Sequence, residues 1–275
     1  MKATRPRQFI SLGFLLLFTF SLAGCKDIEV KSIWLDREIL IDGRPDDWEN
    51  VMLIIKDKNI TLGLANDEHF LYLCLRSSEE STLRQAMMTG FRVWFDSEGG
   101  KHKRFGIKFP AGMQREGMPF MDRTEIQDPK VQQELIDVSL KEVEIIGPAK
   151  GEVVRAPNFR EQEIEVDVGQ TEGRFVYELK IPLARTSAHP HAIGIQKGKP
   201  FMIGFETGKM DWSGMRRDMG QGGKWSVRGG MPRGGRGPGG GGMGGPGGRP
   251  EMPEPLELWV KVNLAEGHSA DTRTP

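Results

Sequence analysis

Phe91-Arg92-Val93-Trp94-Phe95-Asp96, followed after a short turn by Arg104-Phe105-Gly106-Ile107-Lys108-Phe109, alternates apolar and polar residues with a period of two. Successive strand side chains point to opposite faces. Phe91, Val93, Phe95, Phe105, Ile107 and Phe109 therefore share an apolar face, and Arg92, Trp94, Asp96, Arg104 and Lys108 share a polar one. Phe175, Tyr177, Leu179 and Ile181 alternate in the same way with Arg174, Glu178 and Lys180, and Phe201, Ile203 and Phe205 with Met202, Gly204 and Glu206. Strands apolar on one side only must bury that side against another layer. Further short runs at 38–41, 51–55, 60–64, 69–76, 138–146, 163–168 and 256–264 are separated by turn residues. The expected fold class is all-β, an antiparallel β-sandwich with one or two short helices. One helix is expected over 79–88, with Ser78 as its cap and Leu83, Met87 and Met88 on one side, and a shorter one over 132–136.

Composition narrows the classes. The 275 residues carry 38 basic and 38 acidic side chains. A chain without basic excess is not expected to bind nucleic acid. Two cysteines exclude a four-thiolate zinc site and a disulfide framework. Cys74, inside Leu73-Cys74-Leu75, reads as a small buried strand residue.

The N-terminus carries an address. Lys2, Arg5 and Arg7 precede an apolar run over 9–22 that ends in Leu22-Ala23-Gly24-Cys25. This resembles the lipobox of bacterial lipoproteins, so 1–24 is expected to be a lipoprotein signal peptide. The resemblance implies lipidation of Cys25 with acyl chains such as palmitate, enough for stable membrane attachment. Lys26 after the cysteine implies the outer membrane. The expected location is the bacterial cell envelope, with the lipid anchor as the contact to membrane.

Residues 213–250 break the pattern. They hold 17 Gly among 38 residues, with seven basic side chains against Asp218 alone. This composition cannot bury enough apolar surface to offset its ordering entropy, and a disordered Gly/Arg-rich loop is expected. Only one strand's worth of sequence follows it. The domain reading is therefore a single sandwich over 27–265 interrupted by this loop, with a flexible tail at 266–275.

Four patches carry a wider resemblance. They are Ile41-Asp42-Gly43-Arg44-Pro45-Asp46-Asp47-Trp48, Asp67-Glu68-His69-Phe70-Leu71-Tyr72-Leu73, Gly90-Phe91-Arg92-Val93-Trp94-Phe95-Asp96 and Arg174-Phe175-Val176-Tyr177-Glu178-Leu179-Lys180-Ile181-Pro182. Their order and spacing resemble family 9-like carbohydrate-binding domains. The resemblance implies an antiparallel sandwich and non-catalytic sugar recognition, at a site built on a pair of aromatic platforms. Related sandwiches of the dopamine β-monooxygenase N-terminal type bind haem or sugar, so the fold transfers better than the ligand.

The candidate ligand-binding residues are Trp94, Arg92, Asp96 and Trp212. Trp94 stands on a polar face between Arg92 and Asp96, which combines a ring for sugar C–H groups with partners for hydroxyls. Trp212 and Trp225 flank and enter the Gly-rich loop. Trp48 reads as a structural plug, with Asp46 and Asp47 shaping its turn. Asp96-Ser97-Glu98-Gly99-Gly100 offers oxygen ligands that suit calcium, although a hairpin turn explains it equally. His189, His191 and the loop methionines offer ligands for haem or copper.

No G-x-S-x-G, H-E-x-x-H or phosphate-cradling glycine loop occurs, and no catalytic residue and no required cofactor are assigned. The leading expectation is a glycan-binding, non-enzymatic envelope lipoprotein. The alternatives are a haem- or copper-binding redox protein and a protein-interaction module without a small ligand.

Overall fold

A computed structural model describes residues 27–49, 51–113, 128–149, 151–158, 163–196, 198–209 and 254–267. In chain order its strands are β1 (Ile28–Lys31), β2 (Ile33–Trp34), β3 (Met52–Ile55), β4 (Ile60–Asn66), β5 (Phe70–Ser77), β6 (Phe91–Asp96), β7 (Phe105–Lys108), β8 (Glu142–Ile146), β9 (Val153–Pro157), β10 (Glu165–Thr171), β11 (Arg174–Pro182), β12 (Phe201–Thr207) and β13 (Glu257–Asn263). Helix α1 (Glu80–Thr89) follows β5, and α2 (Pro129–Lys141) precedes β8. The first sheet runs β1-β13-β12-β6-β7-β8-β9, and the second runs β10-β11-β5-β4-β2 with β3 also on β4. Among the described residues, every pair is antiparallel except β1 with β13 and β2 with β4. The protein is an all-β sandwich.

The two apolar faces meet as the alternation requires. Phe91, Val93, Phe95, Phe105, Ile107, Phe109, Phe201, Ile203 and Phe205 from the first sheet join Phe175, Tyr177, Leu179 and Ile181 from the second in one core. Phe91 ties the sheets together, with its ring centroid 4.7 Å from Tyr177 and 5.5 Å from Phe175. The N-terminal segment crosses between sheets at Ser32, where it leaves β13 and joins the edge of β4. The Ser32 hydroxyl donates to Asn66 Oδ1 at 2.5 Å, and its backbone N–H donates to the Asn263 carbonyl at 3.0 Å.

The outer face of the second sheet has its own cover. Residues 35–49 cross it without joining a ladder, forming the short 3-10 turn Asp46–Trp48. Ile39, Ile41 and Trp48 pack on Ala65, Tyr72, Cys74 and Val176 in a second, smaller apolar cluster. Glu178 holds this cover in place. It is fully buried, and its carboxylate accepts from Trp48 Nε1 at 2.6 Å, Gly43 N at 2.7 Å and Asp42 N at 2.9 Å. Gly43 has φ +76°, and a Cβ there would lie 3.0 Å from the Val168 backbone, so only glycine suits this turn. The plug expected at Trp48 is present, and it sits on a sheet face, not at the sandwich end.

Several local expectations need correction. The run at 38–41 forms no strand, because its apolar residues serve as cover for β4 and β5. The expected strand at 138–146 divides. Asp128 caps α2 by accepting from Lys130 N at 2.8 Å, Pro129 starts it, and the helix continues through Lys141 before β8 begins. Strands β1, β2 and β9 carry no alternation strong enough to announce them. Ser78 does not cap α1. Its hydroxyl donates to the Asn59 carbonyl, and Glu79 occupies the cap position without a side-chain bond to the helix. The fully buried side of α1 is Thr82, Gln85, Ala86 and Thr89, while of the expected Leu83, Met87 and Met88, all half-buried, Leu83 packs against the core. The helix closes the sandwich over a hydrogen-bonded group in which Thr207 Oγ1 donates to Gln85 Oε1 at 2.7 Å. The segment expected to be a signal peptide, Cys25 and all of 213–250 lie outside the described residues, as does the tail beyond Gly267.

Burial pushes the Glu178 carboxyl up to about 7, against the opposing pull of the Asp42, Trp48 and Gly43 donors. A carboxyl that holds its proton more tightly when folded contributes most below the ordinary carboxylate range. That contribution fades as pH rises from that range through about 7, by on the order of 3 kcal/mol. Glu178→Ala should strand two buried donors and one half-buried donor and cost about 3–5 kcal/mol. Urea unfolding of both proteins across this pH range should show the slope in the wild type and its absence in Glu178→Ala.

Candidate functional site

The outer face of the first sheet carries Trp94, Arg92 and Asp96 of the expected residues. Strand pairing places Trp259 opposite Gly204, Gly204 opposite Trp94, and Trp94 opposite Gly106. These four residues form one row across β13, β12, β6 and β7. A Cβ at Gly204 would lie 2.7 Å from the nearest Trp259 ring atom, and one at Gly106 would lie 2.6 Å from Trp94 Cε3. Each indole therefore lies on the backbone of a neighbouring strand, in room that a glycine leaves. The two tryptophans start two strand spacings apart, roughly 9.5 Å.

Their exposures differ. Trp94 is only 8% exposed, whereas Trp259 is partly open. The indole N–H of Trp94 donates to Glu206 Oε2 at 3.1 Å, and Lys103 Nζ reaches the same oxygen at 2.5 Å and Glu257 Oε1 at 3.1 Å. Lys103 comes from the β6–β7 turn, so the turn reaches back beside Trp94. Desolvation lowers the Lys103 ammonium, and the carboxylates of Glu206 and Glu257 more than offset it and hold the group above its ordinary range.

A charged row runs beside the tryptophans. Glu206, Arg92, Lys108, Glu144 and Arg155 stand opposite one another on successive strands. Lys108 and Arg155 each reach Glu144, at 3.0 Å. Burial lowers the Lys108 ammonium despite this pairing. Arg92, partly exposed, lies between Glu206 and Lys108 in the row next to the aromatic one.

Asp96 stands on the same face but spends its carboxylate on its own turn. Oδ1 accepts from Glu98 N at 3.0 Å, and Oδ2 meets His102 N and His102 Nδ1, both at 2.8 Å. Burial raises its pKa, and these donors outweigh burial and hold the carboxyl below the usual range. Asp96, Glu98 and His102 bring donor atoms within 4.8 Å of one another. A calcium ion there would have to compete with the imidazole for Oδ2, and the hydrogen bonds alone account for the hairpin. His189 and His191 join no three-ligand group among the described residues. Trp212 and Trp225 lie outside the described residues, as do the loop methionines from Met118 onward to Met252.

Trp259 is the residue that sequence reading misses. Leu258, Val260 and Val262 are buried in the core, so Trp259 and Lys261 alternate outward. The signal is in the partners: a glycine inside a strand marks close approach, and Gly106 and Gly204 each seat a tryptophan.

No protein-family model and no curated protein matches this chain. Among solved structures it is similar to a family 9 carbohydrate-binding module from Caldicellulosiruptor kristjanssonii in complex with cellotriose, with TM-score 0.36 and 10% identity over 91% of this chain and 98% of that one. A structure of a family 9 module from the same organism in complex with glucose gives TM-score 0.32 and 9% identity over 67% of this chain and 80% of that one.

Asp96→Ala should cost about 2–3 kcal/mol, since two partly buried N–H groups lose their acceptor. The native carboxyl is held low, so its contribution is present above the ordinary carboxylate range and is lost as pH falls through it. Thermal melts in buffers from neutral to acidic pH should converge for the two proteins at the acid end.

Proposed function

We propose that this chain is a lipid-anchored, non-catalytic glycan-binding protein of the bacterial cell envelope, with its ligand lying along the tryptophan row of the first sheet. The observation that carries the reading is the Trp259-Gly204-Trp94-Gly106 row. Sugar rings present C–H faces that pack on indole, and hydroxyls that need side-chain donors and acceptors. Trp259 offers the accessible ring. Trp94, pinned through its N–H to Glu206, forms the fixed wall beside it. Arg92 supplies donors and Glu206 acceptors at the same level of the sheet. The span of the row fits two linked sugar rings. Asp96 contributes by shaping the hairpin that carries Lys103, and Trp212 is proposed as a further contact from the connection between β12 and β13.

Binding needs no chemical step. The rings and charged groups sit on strands, so little side-chain freedom is lost when a ligand docks. Affinity comes from stacking plus a few hydrogen bonds, and selectivity from where Arg92 and Glu206 meet the hydroxyls.

A glycan-array screen of the purified protein should return one sugar class. Trp259→Ala should then weaken binding about tenfold or more, roughly 1.5–2 kcal/mol, while the unfolding midpoint moves little. Arg92→Ala should weaken it by a similar step. Unchanged affinity in both variants would remove the ligand from this face.

The anchor has its own test. Cys25→Ser should abolish metabolic labelling with radioactive palmitate and shift the protein from the membrane to the soluble fraction of lysed cells. Continued labelling would place the acyl chain elsewhere.

A further inference from the structure

The outer face of the second sheet is divided by Trp48. Strand pairing gives three rows there. Glu178, Cys74 and Gly63 lie beneath the plug. On one side, Lys180, Tyr72 and Ala65 open into a cavity of about 460 Å³ whose lining includes Asp36, Glu38, Asp67 and Glu165. Its central groups satisfy one another: Tyr72 Oη donates to Asp67 Oδ2 at 2.9 Å, and Lys180 Nζ meets Glu165 Oε1 at 2.6 Å.

The other side has the opposite character. An open cavity of about 350 Å³ is lined by Lys56, Asn59, Thr61, Arg76, Ser78 and Arg174, with Ile54 and Ile60 at its apolar margin. Among the described residues no carboxylate lines it. Arg76 rises from the middle of the sheet, between Thr61 of β4 and Val176 of β11. Lys56 comes from the 3-10 turn Lys56–Lys58, which Asn59 closes at φ 52° by donating its N–H to the Lys56 carbonyl. Two acids stand at its edge, each bonded to a lining residue. Glu79 accepts from Asn59 Nδ2 at 3.0 Å, and Glu172 lies 3.4 Å from Arg174 Nη1 at the hairpin tip.

This arrangement is the reverse of the cavity beside Tyr72, where Lys180 meets Glu165 at 2.6 Å. Lys103, Lys108, Arg155 and Lys180 each meet a carboxylate within 3.1 Å. Lys56 and Arg76 form no ion pair among the described residues. Three cations facing one concavity repel one another, and that repulsion is relieved when an anion enters. A guanidinium fork binds two oxygens of one oxyanion, and the ammonium adds a point charge. Thr61 adds a hydroxyl donor at the same row.

We propose that this cavity is a binding site for a tetrahedral oxyanion, a phosphate or sulfate monoester, held by Arg76 with Lys56 and Arg174. It lies on the opposite sheet from the tryptophan row and does not depend on the glycan reading. The group can belong to a soluble phosphorylated or sulfated molecule or to a lipid headgroup.

The test is a titration of the full protein with inorganic phosphate, and separately with sulfate, at constant ionic strength set by chloride. Arginine Nε–H signals are followed by NMR. The expected result is saturable movement of two arginine signals with half-saturation on the order of 1 mM. Arg76→Gln should raise that value about tenfold. Lys56→Gln combined with Arg174→Gln, both at exposed positions, should do the same with the fold intact. Absence of saturation, or equal half-saturation in the wild type and both variants, would overturn the site. Glycerol phosphate and phosphatidylglycerol vesicles then separate the sources. Tighter binding to the vesicles assigns a headgroup, and tighter binding to glycerol phosphate assigns a soluble ligand.

Discussion

The carboxylate of Glu178 determines how this sandwich is covered. It is buried in the middle of β11 and gathers three donors from a segment far earlier in the chain: the N–H groups of Asp42 and Gly43 and the indole of Trp48. A buried carboxylate without such partners would cost several kcal/mol, and the turn at 42–43 would have no reason to sit on the sheet. Each side depends on the other. Two patches far apart in sequence, Ile41-Asp42-Gly43 through Trp48 and Tyr177-Glu178-Leu179, are thus the two halves of one interaction.

That interaction has consequences across the molecule. The cover it fixes seals the centre of the second sheet and leaves open ground on either side, acidic next to Tyr72 and cationic next to Arg76. On the outer face of the first sheet, Trp94 and Trp259 also lie outside the core. There the limit is space above the backbone. An indole can lie flat across a strand only where no Cβ intervenes, so Gly204 and Gly106 determine where Trp259 and Trp94 rest. The glycines position the rings, and the charged row from Glu206 to Arg155 is fixed in register with them by the same pairing.

The core is legible in the sequence because the period-two signal depends on burial alone. Phe91, Val93 and Phe95 can point only inward, and the structure puts them there. Segments whose role is set by distant partners cannot be read in this way. The apolar residues at 38–41 look like a strand, yet their neighbours are supplied by β4 and β5, and no ladder forms. Val138 to Leu140 sit in a run that reads as a strand, but the cap at Asp128 and Pro129 commits the chain to helix before it reaches them. The candidate site is half legible. Alternation finds Trp94 and Arg92, whereas the involvement of Trp259 depends on β13 pairing with β12 across a long connection. Asp96 falls on the same face by the same alternation, but nothing local marks its oxygens as partners of Glu98 and His102.

The burial of Trp94 bears on the ligand reading, since an 8% exposed ring has little face to offer. What it offers the proposed ligand is a fixed wall. A buried indole needs a seat, which Gly106 provides, and a partner for its N–H. This indole is held at its N–H by Glu206, whose same oxygen is held by Lys103, which is held in turn by Glu257. The chain of contacts ends at the strand that bears Trp259. Rings that must present a fixed surface to a rigid ligand gain from such restraint, because ordering them on binding then costs little. An open ring at Trp259 beside a locked ring at Trp94 separates two roles. In the proposed reading the first surface meets the ligand, and the second fixes where along the row it stops.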